Sequence, residues 1–398
     1  MGVFKNIQGD KAMWAVVALL ALISFLPVYS ASGNLENVVQ NGTAIGHLAK
    51  HAFLLGMGFV IMFGIHKIPT HFFKGLSLIG MPIVLLLLVY TLAQGSTIGG
   101  ANASRWIKIP FTSIGFQTST LAMVVLMVYI ARYLSKIKDQ SIRFTESILP
   151  LWLPVFSVVA LVFPANFSTA AILFSMVMML CFIGGYPIKY LLGIAATGLV
   201  MGALFVMTAK AFPGLFPNRV DTWMSRIENF SSDEITEADY QVERAKIAIA
   251  TGGVFGLGAG KSVMKNFLPQ SSSDFIFAII IEEYGMVGGF IILGLYLFLL
   301  IRIIVIANGA PTFFAKLIAL GVGLPIVFQA FINMGVAVSL LPVTGQTLPL
   351  ISSGGTSIWM TCLALGILLS ASNKSAQTAP EAVTEETTNP LEILSEQL

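Results

Sequence analysis

Charge is what this sequence has least of. Only 10% of its 398 residues are Asp, Glu, Lys or Arg, against about 25% in an ordinary soluble domain. Apolar residues make up 56% and the mean hydropathy is +0.86, so a water-soluble fold of this length is excluded. Cysteine is nearly absent: Cys181 and Cys362 both fall inside apolar runs, which excludes a disulfide framework. The net charge of +3 belongs to loops facing lipid headgroups and implies no nucleic-acid partner. Of four histidines, His47 and His51 lie one helical turn apart, but no third ligand is near, so they read as an ordinary interfacial pair and no metal site is expected. Internal repeats, which a transporter usually carries, are also missing.

What is present is a series of apolar runs. Windows of about 17–25 apolar residues, the length a bilayer requires, occur ten times. They lie near Met13–Ser30, Leu48–Ile65, Leu78–Ala93, Gly115–Tyr133, Ile148–Phe163, Ser168–Gly184, Leu191–Ala209, Phe275–Ile301, Leu317–Val338 and Thr356–Ala371. The expected fold class is an all-α polytopic membrane protein with ten transmembrane helices. Met13–Ser30 shows no cleavage site and a second span follows soon after, so it reads as a retained helix, not a signal peptide. Short loops holding Lys67, Lys74, Arg132, Lys136, Lys138, Arg143, Lys189, Arg302 and Lys316 alternate with loops that carry little beyond Arg105 and Lys108. The positive-inside rule then places both termini in the cytoplasm and the long polar interruption, Lys210 to Asp274, outside, between spans seven and eight. Residues 1–374 form one membrane domain. Residues 375–398, with five glutamates, read as a disordered acidic cytoplasmic tail.

The polar interruption closes with Ser271-Ser272-Ser273-Asp274 and runs straight into Phe275-Ile276-Phe277-Ala278, an apolar helix carrying Glu282-Glu283. A carboxylate at the mouth of a membrane helix, under a polar lid, is a candidate reaction centre. Asp is equally a favoured N-cap for a helix whose first amides need an acceptor. Glu282 and Glu283 lie about two turns in, where ionisable groups mark function or a buried pair. Gln329 and Asn333 share one face of the next span, directed into the bundle. The run Leu341–Ser357 holds two prolines and three glycines. Such non-helical backbone at a membrane is tolerated only under protein or water. The loop with Gly99-Gly100, Arg105-Trp106 and Lys108 reads as an interface anchor or as a basic lip for a phosphate-bearing lipid. Gly256–Ser262 looks like a P-loop, but Phe255 stands where the leading glycine is required, which excludes nucleotide binding. Its glycines either bring backbone amides to a phosphate or sugar, or permit sharp turns.

Leu341–Ser357, with Gln329-Ala330 and Asn333 upstream, closely resembles the SEDS (FtsW/RodA/SpoVE) family of bacterial peptidoglycan polymerases, which serve division, elongation and sporulation. Arg105-Trp106, Tyr240-Gln241, the glycine run to Lys261-Ser262, and Leu268-Pro269 leading to Ser273–Ala278 and Glu282-Glu283 extend the resemblance from the first helix to about Ala371. Gly9-Asp10-Lys11 looks most like the division branch. The resemblance implies a glycosyltransferase that polymerises lipid II on the outer face of the cytoplasmic (inner) membrane, with Asp274 as the catalytic carboxylate. The leaving group is undecaprenyl pyrophosphate, so activation is built into the donor; no cofactor is required, and a divalent cation is compatible with the site. Substrate-binding candidates are Arg105, Trp106, Arg226, Tyr240, Gln241, Lys246, Lys261, Glu282, Glu283, Gln329, Asn333, Thr344, Ser352, Gly354 and Gly355. Expected partners are lipid II, a class B penicillin-binding protein and other divisome proteins.

The chain departs from the family's pattern in places. Where members usually read Q-P-S-E-L-A-K it has Gln117-Thr118-Ser119-Thr120-Leu121-Ala122-Met123, so the acid and the base are both gone. Losing both members of a buried pair can be neutral, whereas losing one strands a charge. Asn166 stands where an acid is usual, and Gln270 and Ser272 replace a common Glu and His. Two rival classes are a lipid II flippase, which would also need intramembrane carboxylates and broken helices, and a catalytically idle divisome scaffold.

Overall fold

The structure, a computed structural model, describes residues 8–37, 43–94, 106–108, 115–138, 140, 142–211, 237–268 and 271–373. Each apolar window becomes a helix, because backbone in lipid must satisfy its own N–H and C=O groups. In chain order they are α1 (Lys11–Asn37), α2 (Ala44–Ile65), α3 (Thr70–Gln94), a two-strand hairpin of β1 (Trp106–Lys108) and β2 (Gly115–Gln117), α4 (Thr118–Lys136) and α5 (Phe144–Val162). Next come α6 (Phe167–Ile183), α7 (Ile188–Ala211), α8 (Glu237–Gly252), α9 (Ile276–Asn308), α10 (Phe313–Ala337) and α11 (Ser357–Ser372). Among the described residues, seven helices are long and apolar enough to cross a membrane, and α6, α11 and the apolar Ile188–Leu204 of α7 are shorter. α5 contains a π turn at Ile148–Trp152, around Pro150. The Tyr129 hydroxyl of α4 donates to the Pro150 carbonyl at 2.7 Å, so the irregular turn has an acceptor satisfied from outside.

α10 is apolar apart from Lys316, Gln329 and Asn333, and it is the most buried of the seven long spans. It packs against α4, α6, α9 and α11, while α11 lies along α2 and α1 bridges α2 and α9. At one end of the bundle Asp10 ties three helices. Its Oδ1 caps α1 by accepting from Met13 N at 2.7 Å, its carboxylate forks onto Arg302 of α9, and its own N–H donates to Ser372 Oγ of α11 at 2.9 Å.

The polar interruption is more ordered than a loop at its C-terminal side. α8 lies against α9, and the chain after it plugs a break in α9. Gly285 sits inside that helix at φ 69°, ψ −172°, a region open essentially to glycine alone. The break exposes backbone groups that residues 253–258 satisfy. Leu257 N donates to Glu282 O and Gly258 N to Glu283 O, both at 2.9 Å, while Met286 N reaches Gly253 O at 2.9 Å and Val287 N reaches Val254 O at 3.2 Å. The two backbones run so close that a Cβ on Gly285 would stand 2.1 Å from the Val254 carbonyl oxygen, and one on Gly256 2.2 Å from that of Glu283. These glycines therefore serve sharp turns and close backbone approach, one of the two uses read from the sequence.

Candidate active site

At the end of the bundle opposite Asp10 lies a cavity of about 690 Å³. Six of the residues expected at the site line it: Trp106, Gln241, Asp274, Gln329, Gly354 and Gly355. Its deeper wall is apolar, built from Met123, Met127, Val322, Ile326 and Met360. Thr120 and Met123 occupy the wall where the resemblance leads one to expect an acid and a base, so that side carries no charge.

Trp106 reaches the cavity through the hairpin, in which it pairs with Gln117. Thr356, at the mouth of α11, holds the hairpin in place. Its Oγ1 accepts from Gln117 N at 3.2 Å and donates to Gly115 O at 2.9 Å. The indole then closes over Gly355, where an added Cβ would touch the ring at 3.7 Å.

Asp274 is half-buried on the cavity wall. The N-cap position of α9 falls on Phe275, the residue after Asp274. The backbone around Asp274 is fixed by three successive carbonyl contacts. Ser353 N donates to Ser272 O at 2.9 Å, Ser352 Oγ to Ser273 O at 2.6 Å, and Asn333 Nδ2 to Asp274 O at 2.8 Å. The Pro/Gly-rich run before α11 thus lies alongside Ser272–Asp274. Gln329 Nε2 holds the same run through Thr347 O at 2.9 Å, and the Tyr296 hydroxyl of α9 holds it through Pro349 O.

The remaining expected residues fall elsewhere. Asn333 and Ser352, expected as substrate contacts, are buried and do not line the cavity, and their hydrogen bonds go to loop backbone. Glu282 and Glu283 are likewise buried and turned away from the cavity. Glu282 collects Ser262 Oγ, Val263 N at 2.9 Å and Met264 N at 3.2 Å, and Glu283 takes Ser30 Oγ of α1 and Ser262 N at 3.3 Å. The two carboxylates clamp the loop that plugs the Gly285 break. The Tyr240 ring lies under the Arg244 guanidinium at 4.7 Å, a cation–π contact, and is absent from the cavity lining. Lys246 and Lys261 are exposed outside the cavity, and Thr344 Oγ1 is buried without a hydrogen-bond partner. Arg105 and Arg226 lie outside the described residues. His51 is buried and bonded to Ser24 Oγ at 2.8 Å. Among the described residues no three His, Cys, Asp or Glu side chains cluster as metal ligands.

Sequence reasoning missed Lys50, which reaches the cavity from α2. It is a lone cation within an apolar helix, and the rule that singled out Glu282 applies to it equally. Gln117, Gln346 and Thr347 also line the site; they fall inside the Gln117–Met123 and Leu341–Ser357 runs, which mark the segments but do not single out these side chains.

The fold and the cavity together define a multi-pass helical membrane protein with a carboxylate-bearing pocket at one end of its bundle. The chain matches the FtsW/RodA/SpoVE family of cell cycle proteins over residues 10–377, and it belongs to that family. It is 31% identical to the probable peptidoglycan glycosyltransferase FtsW of Nitrosomonas europaea, with 90% of this chain and 92% of that one covered. It is 30% identical to stage V sporulation protein E of Bacillus subtilis, covering 93% and 99%. Among solved structures it is similar to the rod shape determining protein RodA of Thermus thermophilus (TM-score 0.65, 26% identity, covering 91% and 96%). It is also similar to a chain from a study of how a peptidoglycan synthase complex coordinates polymerization and crosslinking (TM-score 0.68, 27% identity, covering 91% and 96%).

Proposed function

We propose that this chain is a peptidoglycan glycosyltransferase that polymerises lipid II during cell division, with Asp274 as its general base. The observation that carries the reading is the place of Asp274: a carboxylate on the wall of the cavity, beside Gln241, Gln329 and Gly354, above an apolar floor. An amphipathic, lipid-borne sugar needs that combination of polar wall and apolar depth. The acceptor's 4-hydroxyl attacks the anomeric carbon of the donor, the new C–O bond forms as the bond to pyrophosphate breaks, and the pyrophosphate leaves with the electron pair. Asp274 takes the hydroxyl proton. A single displacement inverts the anomeric centre. Lys50 supplies positive charge at the cavity for the departing pyrophosphate, and Trp106 offers an apolar face to a sugar ring.

The charge bias of the short loops supports cytoplasmic termini and a cavity open to the outer face of the bacterial inner membrane. Family membership supports a class B penicillin-binding protein and other divisome components as partners. Residues 1–374 act as the catalytic membrane domain, with 375–398 as a cytoplasmic tail.

Asp274→Asn tests the mechanism, because Asn keeps the shape and hydrogen-bonding reach but cannot take a proton. The purified variant should insert and bind its partner normally yet lose polymerisation of labelled lipid II by roughly a hundredfold or more, the scale of a lost general base. Wild-type polymerisation by Asp274→Asn would refute Asp274 as the base and move the search to Glu282 or Glu283, whereas a wild-type protein that does not polymerise lipid II would make a flippase or scaffold the better reading.

A further inference from the structure

Asn333 was expected to touch substrate, but it lies behind the cavity wall with 1% of its surface exposed. Its Nδ2 makes two hydrogen bonds, to Asp274 O at 2.8 Å and to Gln346 O at 2.7 Å. Both partners are carbonyl oxygens, so the amide must present its NH₂ to them, and the orientation of the side chain follows from its partners. Gln346 belongs to the Pro/Gly-rich run and lines the cavity, as Asp274 does. One buried amide of α10 therefore joins the peptide that carries Asp274 to the neighbouring loop that lines the same cavity. Gln346 continues the chain of contacts through Nε2 to Thr169 Oγ1 at 2.9 Å. α10 is the most buried of the seven long spans, so the joint is anchored to a helix packed on most of its surface.

We infer that Asn333 is a positioning residue for Asp274: it fixes the depth and direction of the carboxylate relative to the Gln346 wall, and it does not contact substrate. The inference rests on the proposed glycosyltransferase reading. A general base works only within hydrogen-bond reach of the proton it takes, and a displacement of about 1 Å can cost about a hundredfold in rate. Two hydrogen bonds from one side chain to the two adjacent loops hold such a distance. Neither loop can be held by an apolar replacement. Asn333→Asp keeps the shape but sets an oxygen against two carbonyls, and so should be no better than Asn333→Ala.

The test is a double-mutant cycle on the full-length chain with its penicillin-binding partner, reading lipid II polymerisation. Asn333→Ala should lower kcat about tenfold or more while KM for lipid II stays within about twofold, and Asn333→Asp should do the same. Placed on Asp274→Asn, Asn333→Ala should leave the residual rate unchanged, since no base remains to be positioned. A large rise in KM with kcat kept would make Asn333 a substrate contact and overturn the inference. So would a double variant that falls well below Asp274→Asn, the mark of an independent or purely structural role. Should Asn333→Ala lose its fold, Ser352→Ala removes the adjacent bond to Ser273 O. It must then show the same kcat loss and the same silence on Asp274→Asn, or the positioning reading is wrong. If Asp274→Asn alone polymerises at the wild-type rate, the general-base assignment fails first. A loss from Asn333→Ala would then refute positioning too.

Discussion

Replacing Gly285 with Ala should be among the most damaging single-methyl changes in the chain. Gly285 occupies φ 69°, ψ −172°, where a side chain stores about 1–3 kcal/mol of backbone strain. The added Cβ would also stand 2.1 Å from the Val254 carbonyl oxygen, so the loop must move away. Moving it breaks the four backbone hydrogen bonds that plug the helix break, each worth about 0.5–1.5 kcal/mol net. Together these put the loss on the order of 5 kcal/mol, enough to unfold this end of α9. The helix carries its own control. Gly294 has open space around its missing Cβ, so Gly294→Ala should be neutral or stabilising by about 0.5–1 kcal/mol, the helix-interior difference between Gly and Ala. Thermal unfolding in detergent, with limited proteolysis across residues 252–268, reads both variants. A Gly285→Ala protein that melts with the wild type and keeps that segment protected would refute the account of the break.

Asp10→Ala removes the α1 cap and strands the Arg302 guanidinium, so it should lower the melting temperature more than Arg302→Met, which leaves the cap in place; equal losses would show that the cap contributes nothing. Cysteines placed at Lys261 and Lys67, both exposed, should react with an impermeant maleimide from opposite sides of the membrane, and labelling of both in intact cells would overturn the proposed topology. Polymerisation by the isolated chain should rise when a class B penicillin-binding protein is added, and an unchanged rate would argue against that partner.

The helices were legible because lipid leaves a chain little choice: each of the ten apolar windows had to become a helix. Asp274, Trp106 and the Gly354-Gly355 pair were legible through the resemblance, and the structure gathers them at one cavity. Glu282 and Glu283 show the limit of that kind of reading. Buried carboxylates announce that something important is held, but only the fold reveals that it is the Ser262–Met264 backbone and Ser30. Asn333 fails in the same way, since a polar residue on an inward helix face cannot say whether it meets a ligand or a loop. Lys50 is legible in principle and was overshadowed by the two histidines beside it. The Gly285 break was hidden because its partner, Gly252–Gly258, precedes it by some thirty residues, beyond any local pattern.

That separation in sequence also sets an order of assembly. A ribosome delivers residues 252–258 before α9 exists, yet the backbone groups they bond to, at Glu282, Glu283, Met286 and Val287, appear only once α9 has formed and bent at Gly285. The segment made first must wait unpaired, kept in solution by the water around it, while the helix made second enters the bilayer with its bent end still incomplete. Neither can reach its final state before the other. A nascent chain halted between Gly258 and Gly285 therefore holds a loop without its receptor, and closing the break requires the return of an early segment to a later one.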